Sequence, residues 1–98
     1  TENPCDHLLS LRGWWCIPIK NRGVLTKRGW MYHGLKGVPD RLLVGLRGAT
    51  KGRIVACEYK SAKGRLSLHQ TAFKAKWEGA GQMYVVLHGI DDIEPAGL

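Results

Sequence analysis

The sequence predicts a small α/β domain with a mixed β-sheet, and two observations support that prediction. Two apolar runs rich in strand-forming residues, DRLLVGL and RIVACEYK, follow one another across a glycine-containing turn. A segment with a helix-start signal then separates the second run from a further apolar run, QMYVVLH. Because 98 residues suffice for one compact core and little more, we expect residues 1–98 to form a single domain.

The first part of the chain predicts a helix, an edge strand and a loop. In TENPCDHLLSLRG, the leucines Leu8, Leu9 and Leu11 form a short amphipathic pattern, and Gly13 marks the expected end of a helix. The following WWCIPIK is rich in strand formers, and Pro18 favours an edge position or a bulge. The basic, glycine-punctuated segment NRGVLTKRGWMYHGLKG predicts a long loop or a loose hairpin.

The two clearest strands, DRLLVGL and RIVACEYK, are expected to be antiparallel neighbours because RGATKG between them suits a hairpin connection. Alternation divides the side chains of the second strand between two faces. One face carries Ile54, Ala56, Glu58 and Lys60, and the other carries Val55, Cys57 and Tyr59. Glu58 and Lys60 are therefore expected to point the same way.

The segment SLHQTAFKAKWEGAG predicts a second helix. Ser67-x-x-Gln70 is the pattern of a capping box, in which the serine caps the helix and the residue three positions later caps it in return. Four positions at helical spacing predict the packed stripe: Leu68, Ala72, Ala75 and Gly79. The glycines that follow predict the end of the helix, and QMYVVLH predicts the last strand.

The composition is basic, with fifteen Lys and Arg against eight Asp and Glu and a formal net charge of +7. Such an excess attracts polyanions, so nucleic acid is the expected partner, and a basic domain that binds none is the alternative. The cysteines Cys5, Cys16 and Cys57 are odd in number and lack metal-ligand spacing, which favours core packing in a reducing, cytoplasmic setting. No membrane span or signal-peptide pattern is found, so no membrane partner is expected.

Three charged residues at strand ends predict a metal-dependent hydrolytic site. Asp40 follows a Gly-Val-Pro turn, and Glu58 and Lys60 lie two apart on the neighbouring strand. Carboxylates are ligands that Mg²⁺ prefers, and the Tyr59 backbone carbonyl offers a further oxygen. Lys60 is suited to orient or deprotonate a water and to stabilise charge at phosphorus. Taken singly, each residue is better explained as turn or strand-end charge, but the combination favours a site, because a glutamate on an apolar strand face needs a partner.

The motifs GVPD, CEYK and GRLSLHQ, in this order, resemble the Gly-x-Pro-Asp, Glu-x-Lys and Gly-x-Leu-Ser-x-x-Gln pattern of the VRR-NUC nucleases, a branch of the PD-(D/E)xK superfamily. The resemblance runs from about Gly37 to Gln70. In that family the domain occurs alone in phages and bacteria and also as the catalytic module of the eukaryotic Fanconi-associated nuclease. The resemblance implies a restriction-endonuclease-like core, in which a small central mixed β-sheet is flanked by helices.

The same resemblance implies an endodeoxyribonuclease that uses Mg²⁺, for which Mn²⁺ can substitute, and that needs no small-molecule cofactor. It makes Asp40 and Glu58 the metal ligands and Lys60 the catalytic lysine. It makes Gln70 an active-site helix residue, a role that its capping contact with Ser67 does not exclude.

The family also has a glutamate on its first helix, and the matching residue is Glu2. The resemblance makes Glu2 a catalytic acid that contacts the metal directly or through water. Because Glu2 lies beside Pro4 at the start of the predicted helix, Asp6 one turn later is the alternative. Helix-start charge favoured by the dipole explains either residue without a catalytic role.

Stand-alone members of the family resemble Holliday-junction resolvases, which act as homodimers on four-way junctions. The resemblance therefore implies a homodimer that cleaves branched DNA, with a flap or splayed-arm nuclease, or a non-catalytic nucleic-acid-binding domain, as the alternatives. A zinc-finger or HNH-type site is disfavoured because the four histidines are scattered. Candidate dimer surfaces are the edge strand with Trp14, Trp15 and Pro18, and the last strand with Ile90 and Ile93.

The basic residues that flank the proposed site are expected to contact DNA phosphates. They are Lys27, Arg28, Lys36, Lys63 and Arg65, followed by Lys74 and Lys76 on the second helix. Trp30, Tyr32 and His33 in the long loop are candidates for stacking on bases. Since no base-reading element is evident, recognition of DNA shape is expected over recognition of sequence.

Overall fold

A computed structural model describes residues 3–19 and 36–98, together with the backbone of residues 23–26 and 29–32. Within these ranges the chain forms an α/β structure with two α-helices and six strands. The helices are α1 (Pro4–Leu11) and α2 (Leu68–Gly79). The strands are β1 (Trp14–Pro18), β2 (Gly23–Thr26), β3 (Gly29–Tyr32), β4 (Arg41–Gly45), β5 (Ile54–Tyr59) and β6 (Met83–Leu87).

Four of the strands form one mixed sheet in the order β1-β4-β5-β6. β4 pairs antiparallel with both β1 and β5, whereas β6 runs parallel to β5. Parallel pairing needs a crossover connection, and α2 supplies it between β5 and β6. β1 lies at the edge, as Pro18 at its end predicts. β2 and β3 pair antiparallel in a separate two-stranded sheet inside the segment predicted as a loop or hairpin.

The hydrophobic core lies between α1 and one face of the four-stranded sheet. Asn3 caps α1 by accepting a hydrogen bond from the Cys5 N–H at 2.8 Å, and Pro4 occupies the first turn, where its missing N–H costs nothing. The buried core cluster comprises Cys5, Leu9, Trp14, Leu43, Val55, Cys57, Val85, Leu87, Ile93 and Leu98. Val55 and Cys57 belong to this cluster, which confirms the predicted alternation along β5.

The three cysteines are free, and the predicted core role is confirmed. Cys5 and Cys57 are buried and Cys16 is half-buried. Burial raises the pKa of the Cys57 thiol, and it raises the pKa of Cys16 to about 11. These thiols therefore stay protonated at neutral pH and pack as small apolar groups.

α2 begins as predicted, with a complete capping box between Ser67 and Gln70. The predicted stripe on this helix is wrong, because all four of its residues are exposed and Leu68 keeps 89% of its surface in contact with solvent. Phe73 and Trp77 face the sheet instead, stacked on each other with their ring centroids 5.8 Å apart. Aromatic rings bury far more apolar area than alanine or glycine, so they decide which side of a short helix packs.

Two residues proposed for a dimer surface lie in the core. Trp14 and Ile93 are buried, and the Trp14 indole N–H donates to the Leu98 carbonyl at 3.1 Å. Trp15 and Ile90 are exposed and stay candidates. In the part of the chain that the structure describes, no helix combines the length and apolar character that crossing a bilayer requires.

Candidate active site

The ends of β4 and β5 bring Asp40 and Glu58 together. The antiparallel register pairs Arg41 of β4 with Cys57 of β5, so Asp40 and Glu58 occupy the next positions opposite each other along the two strands. One oxygen of Asp40, Oδ2, accepts a hydrogen bond from the Tyr59 backbone N–H at 2.9 Å. This bond fastens the Asp40 side chain to β5 at the peptide that directly follows Glu58.

Glu58 is a buried carboxylate on the α2 side of the sheet, and its neighbours are Gln70, Lys60 and Asp40. Only 3% of the residue is exposed. Its Oε1 accepts a hydrogen bond from Gln70 Nε2 at 3.0 Å and lies 3.9 Å from Lys60 Nζ. Among the residues that the structure describes, none donates a hydrogen bond to the other oxygen, Oε2, although this atom is buried. A buried carboxylate oxygen in this state is destabilised unless a proton or a cation occupies the site.

The surroundings of Glu58 favour its protonated form when no cation is present. Burial first, and then the neighbouring charge of Asp40, raise the pKa of Glu58 to about 7, while Lys60 acts in the opposite direction. Two carboxylates so close together in a site of reduced solvation repel each other. Such a pair is correspondingly well suited to a divalent cation, which removes both the repulsion and the unpartnered oxygen.

Gln70 serves the helix and the candidate site at the same time. Its Oε1 accepts a hydrogen bond from the Ser67 backbone N–H at 2.8 Å, and its Nε2 donates to Glu58. Opposite ends of one amide therefore make the capping contact and the contact to Glu58, and an active-site role for Gln70 stays a prediction. The capping box also restricts the Gln70 rotamer, which holds its Nε2 towards Glu58.

The glycine of the GVPD turn allows close packing between the site and α2. Gly37 has φ of 80°, a left-handed conformation that side chains disfavour. A Cβ at this position would overlap the carbonyl group of His69 in the first turn of α2. Contact between the turn and the helix start thus brings Asp40 and Gln70 to the same site, and Pro39 is buried beneath it.

Sequence reasoning missed a cluster on the α1 side of the same strands. Asp6 accepts hydrogen bonds from the Arg41 guanidinium, at 3.0 Å from Nε and 2.9 Å from Nη2, and from the Tyr59 hydroxyl. The bond to Asp6 raises the pKa of Arg41, whose guanidinium also lies 5.3 Å from the centre of the Tyr59 ring. No local pattern could reveal these contacts, since 35 residues separate Asp6 from Arg41 and 53 separate it from Tyr59.

The remaining predicted residues are distributed around the site or fall outside the described ranges. Glu2, Lys27, Arg28 and His33 lie outside them, as do the side chains of Trp30 and Tyr32. Lys74 is half-buried on α2, one turn after Gln70. The exposed basic residues are Lys36 beside the GVPD turn, Lys63 and Arg65 between β5 and α2, and Lys76 on α2.

The donor set within residues 3–19 and 36–98 suits a hard divalent cation better than zinc. In these ranges no group of three or more His, Cys, Asp or Glu side chains is arranged to hold a metal. Asp40 and Glu58 could supply two carboxylates, and Mg²⁺ in proteins commonly binds one or two carboxylates together with water and substrate phosphate. The unpartnered Glu58 Oε2 is the observation that fits such an ion. The Tyr59 carbonyl as a further ligand stays a prediction.

Comparison of the chain with protein-family models, with curated proteins and with solved structures finds no significant match. Functional inference therefore depends on the chemistry of the site and on the order and spacing of its motifs.

Proposed function

We propose that the protein is a Mg²⁺-dependent endonuclease of the VRR-NUC type that hydrolyses phosphodiester bonds in branched DNA, acting as a homodimer on four-way junctions. The buried Glu58 carboxylate beside Asp40, with one oxygen unpartnered, carries the proposal. A buried carboxylate beside a half-buried one destabilises a small fold, and binding of a divalent cation would give such a pair a function.

The architecture supports a restriction-endonuclease-like core. α1 packs on the sheet face that carries Val55 and Cys57, and α2 contacts Glu58 on the opposite face. Three antiparallel strands followed by a helix and a parallel strand place the acidic pair where β4 begins and β5 ends. A small mixed sheet flanked by helices is the architecture that the motif resemblance implies.

The chain's own residues divide the chemistry among them. Asp40 and Glu58 would hold the ion, which supplies a Lewis acid that polarises the phosphate and eases loss of a proton from water. Lys60 is close enough to the pair to orient the attacking water, accept its proton or stabilise charge at phosphorus. Gln70 would orient Glu58 through the hydrogen bond from its Nε2, and a direct catalytic contribution of this residue stays a prediction.

Charge supports DNA as the substrate. The net charge is +7 although the site itself contains two carboxylates, so the basic residues must lie elsewhere on the surface. Lys36, Lys63 and Arg65 are exposed on the turns that flank the acidic pair. These residues can contact phosphates on either side of the cleaved bond. A homodimer would present two such sites, as paired cuts in a junction require.

Cleavage of end-labelled four-way junction, 5′ flap and plain duplex DNA with Mg²⁺ or Mn²⁺ tests the proposal. We expect metal-dependent, symmetric cuts in the junction, and we expect Asp40→Asn and Lys60→Ala to lower the rate by at least about 10²-fold. Asp92→Asn is the matched control, because Asp92 Oδ2 also accepts a backbone N–H, from His88 at 2.8 Å, but lies outside the site. Its rate should stay within about twofold of wild type.

Other outcomes separate the alternatives. Tight binding without cleavage of any substrate would contradict the enzymatic proposal and leave a DNA-binding module. Preferential cleavage of flaps would retain the site and overturn the junction as substrate. Copurified zinc that is required for activity would overturn the carboxylate site, since Mg²⁺ or Mn²⁺ should bind it weakly and exchangeably.

A further inference from the structure

The Asp6 carboxylate is fully engaged by protein donors. Oδ1 accepts from Arg41 Nε at 3.0 Å and from the Tyr59 hydroxyl, and Oδ2 accepts from Arg41 Nη2 at 2.9 Å and from Nε at 3.2 Å. Hydrogen bonds between a guanidinium and a carboxylate are among the strongest in proteins. Asp6 would have to break them before it could bind a metal, so its position does not suit a first-helix ligand.

Both donors of this cluster are chain neighbours of the proposed metal ligands. Arg41 follows Asp40, and its Nη1 donates to the Asp40 carbonyl oxygen at 3.0 Å. Tyr59 follows Glu58, and its backbone N–H donates to the Asp40 carboxylate at 2.9 Å. One carboxylate on α1 therefore joins the start of β4 to the end of β5, at the point where the two strands carry the acidic pair.

This arrangement counters a specific weakness of the site. The ladder between β4 and β5 ends at the Arg41–Cys57 pair, so backbone pairing between these two strands does not extend to Asp40 and Glu58, although Glu58 still pairs with Val86 of β6. Metal binding requires both carboxylates in their ionised form, in which they repel each other and tend to separate the strand ends. A half-buried cross-link behind the strands opposes that separation, and groups behind metal ligands commonly set metal affinity in this way.

We infer that Asp6 is a positioning residue, which holds Asp40 and Glu58 at metal-binding distance through Arg41 and Tyr59 and does not itself bind the metal. The inference rests on the proposed function, because it concerns the same site. It assigns the Asp6–Arg41–Tyr59 cluster to metal affinity in addition to stability.

Direct titration with Mn²⁺, followed by the electron paramagnetic resonance of the free ion, tests the inference without any DNA. The variants are Asp6→Asn, Arg41→Lys and Tyr59→Phe, the last of which removes only the hydroxyl and keeps the ring and the backbone N–H. Each should weaken Mn²⁺ binding by about tenfold. Asp6→Asn combined with Tyr59→Phe should weaken it by clearly less than the product of the single effects, because both substitutions break the same contact.

Arg53 provides a matched control for a purely structural effect. Its guanidinium lies 5.1 Å from the centre of the Trp14 ring, and Nη1 donates to the Gly97 carbonyl at 3.0 Å. These contacts resemble those of Arg41 but lie away from the acidic pair. Arg53→Lys should lower the thermal unfolding temperature while leaving Mn²⁺ affinity within about twofold of wild type.

Three results would overturn the inference in distinguishable ways. Loss of stability in the cluster variants with wild-type Mn²⁺ affinity would reduce the cluster to a structural role. Loss of Mn²⁺ binding in Asp6→Asn alone, with Arg41→Lys and Tyr59→Phe unchanged, would make Asp6 a direct ligand. Absence of Mn²⁺ binding by wild type would remove the metal site itself, and the inference with it. Wild-type Mn²⁺ binding without DNA cleavage would contradict the proposed function while the affinity series still decides the role of Asp6.

Discussion

The two faces of the four-stranded sheet are built differently, and β5 contributes to both. On the α1 face, Val55 and Cys57 of β5 belong to a cluster of buried apolar side chains. On the α2 face its Glu58 meets Gln70 and Lys60, and no residue of α2 is fully buried. Stability is therefore concentrated on one face, which allows the other to hold charges that lower it.

The difference shows how a small domain can accommodate an acidic site. The buried Glu58 carboxylate beside Asp40 costs free energy in the folded state, and a fold of this size has little surplus stability to offset it. The pair lies on the side of α2, a helix with no fully buried residue, and the apolar core lies on the opposite face of the sheet. The free-energy cost of the pair therefore falls on the face that contributes less to stability. Under the proposed function, the absence of fully buried residues on α2 would leave this face accessible to a nucleic-acid substrate.

The largest expected effect is a difference in the free energy of unfolding between two leucine-to-alanine variants, one on the α1 face of the sheet and one on α2. Leu9 is fully buried, so Leu9→Ala should lower the free energy of unfolding by about 2–5 kcal/mol. Leu68 on α2 is exposed, so Leu68→Ala should change it by at most about 0.5 kcal/mol. Urea denaturation of both variants measures the difference, and equal losses would contradict the division between the faces.

A smaller effect is expected from Gly37→Ala, which would place a methyl group between the GVPD turn and α2. Gly52→Ala is the control, because Gly52 has a similar φ of 83° with open space around its Cβ position. That change should cost about 1–2 kcal/mol from backbone strain alone. Gly37→Ala should cost about 1–3 kcal/mol more, since the new methyl group overlaps the His69 carbonyl.

The overlap at Gly37 should also have a functional consequence. Displacement of the first turn of α2 moves Gln70 away from Glu58, so Mn²⁺ affinity and DNA cleavage should fall in Gly37→Ala and stay unchanged in Gly52→Ala. Both variants are assayed by the same titration and cleavage measurements. Equal behaviour of the two glycine variants would show that the turn does not position the site.

The smallest expected effect is a change in the pH dependence of stability. The pKa of Glu58 rises from 4.5 to about 7 on folding, so the folded state binds more protons than the unfolded state between these values. The free energy of unfolding of the metal-free protein should therefore fall as pH rises through this window. Glu58→Gln removes the titration and should be more stable than wild type at pH 8 by about 1–2 kcal/mol.

Thermal unfolding of metal-free protein between pH 5 and pH 8 measures this effect. Glu94→Gln, at an exposed position, is the control and should follow the wild-type profile. Parallel profiles for wild type and Glu58→Gln would show that Glu58 does not carry the burial penalty.

Local signals explain why most elements were predictable. The proline and glycine of α1, the capping box of α2 and the alternation along β5 each act over a few residues, and the structure contains all three elements. The packed side of α2 was predicted wrongly, because helical spacing placed Ala72 and Ala75 on the packed stripe and left Phe73 and Trp77 out of it. Contact area with Tyr84 on β6, not periodicity, decides which side of this helix packs.

The sequence by itself determined the types of element, the side of β5 on which Glu58 and Lys60 point, and the candidate residues Asp40, Glu58, Lys60 and Gln70. Those properties follow from periodicity, capping and turn chemistry, which depend on neighbouring residues. Only the tertiary structure decided that Gly37 packs against α2 and that Asp6 engages Arg41 and Tyr59 behind the site. Such contacts join segments 32 to 53 positions apart, and they arise from the packing of elements against one another, which no local pattern encodes.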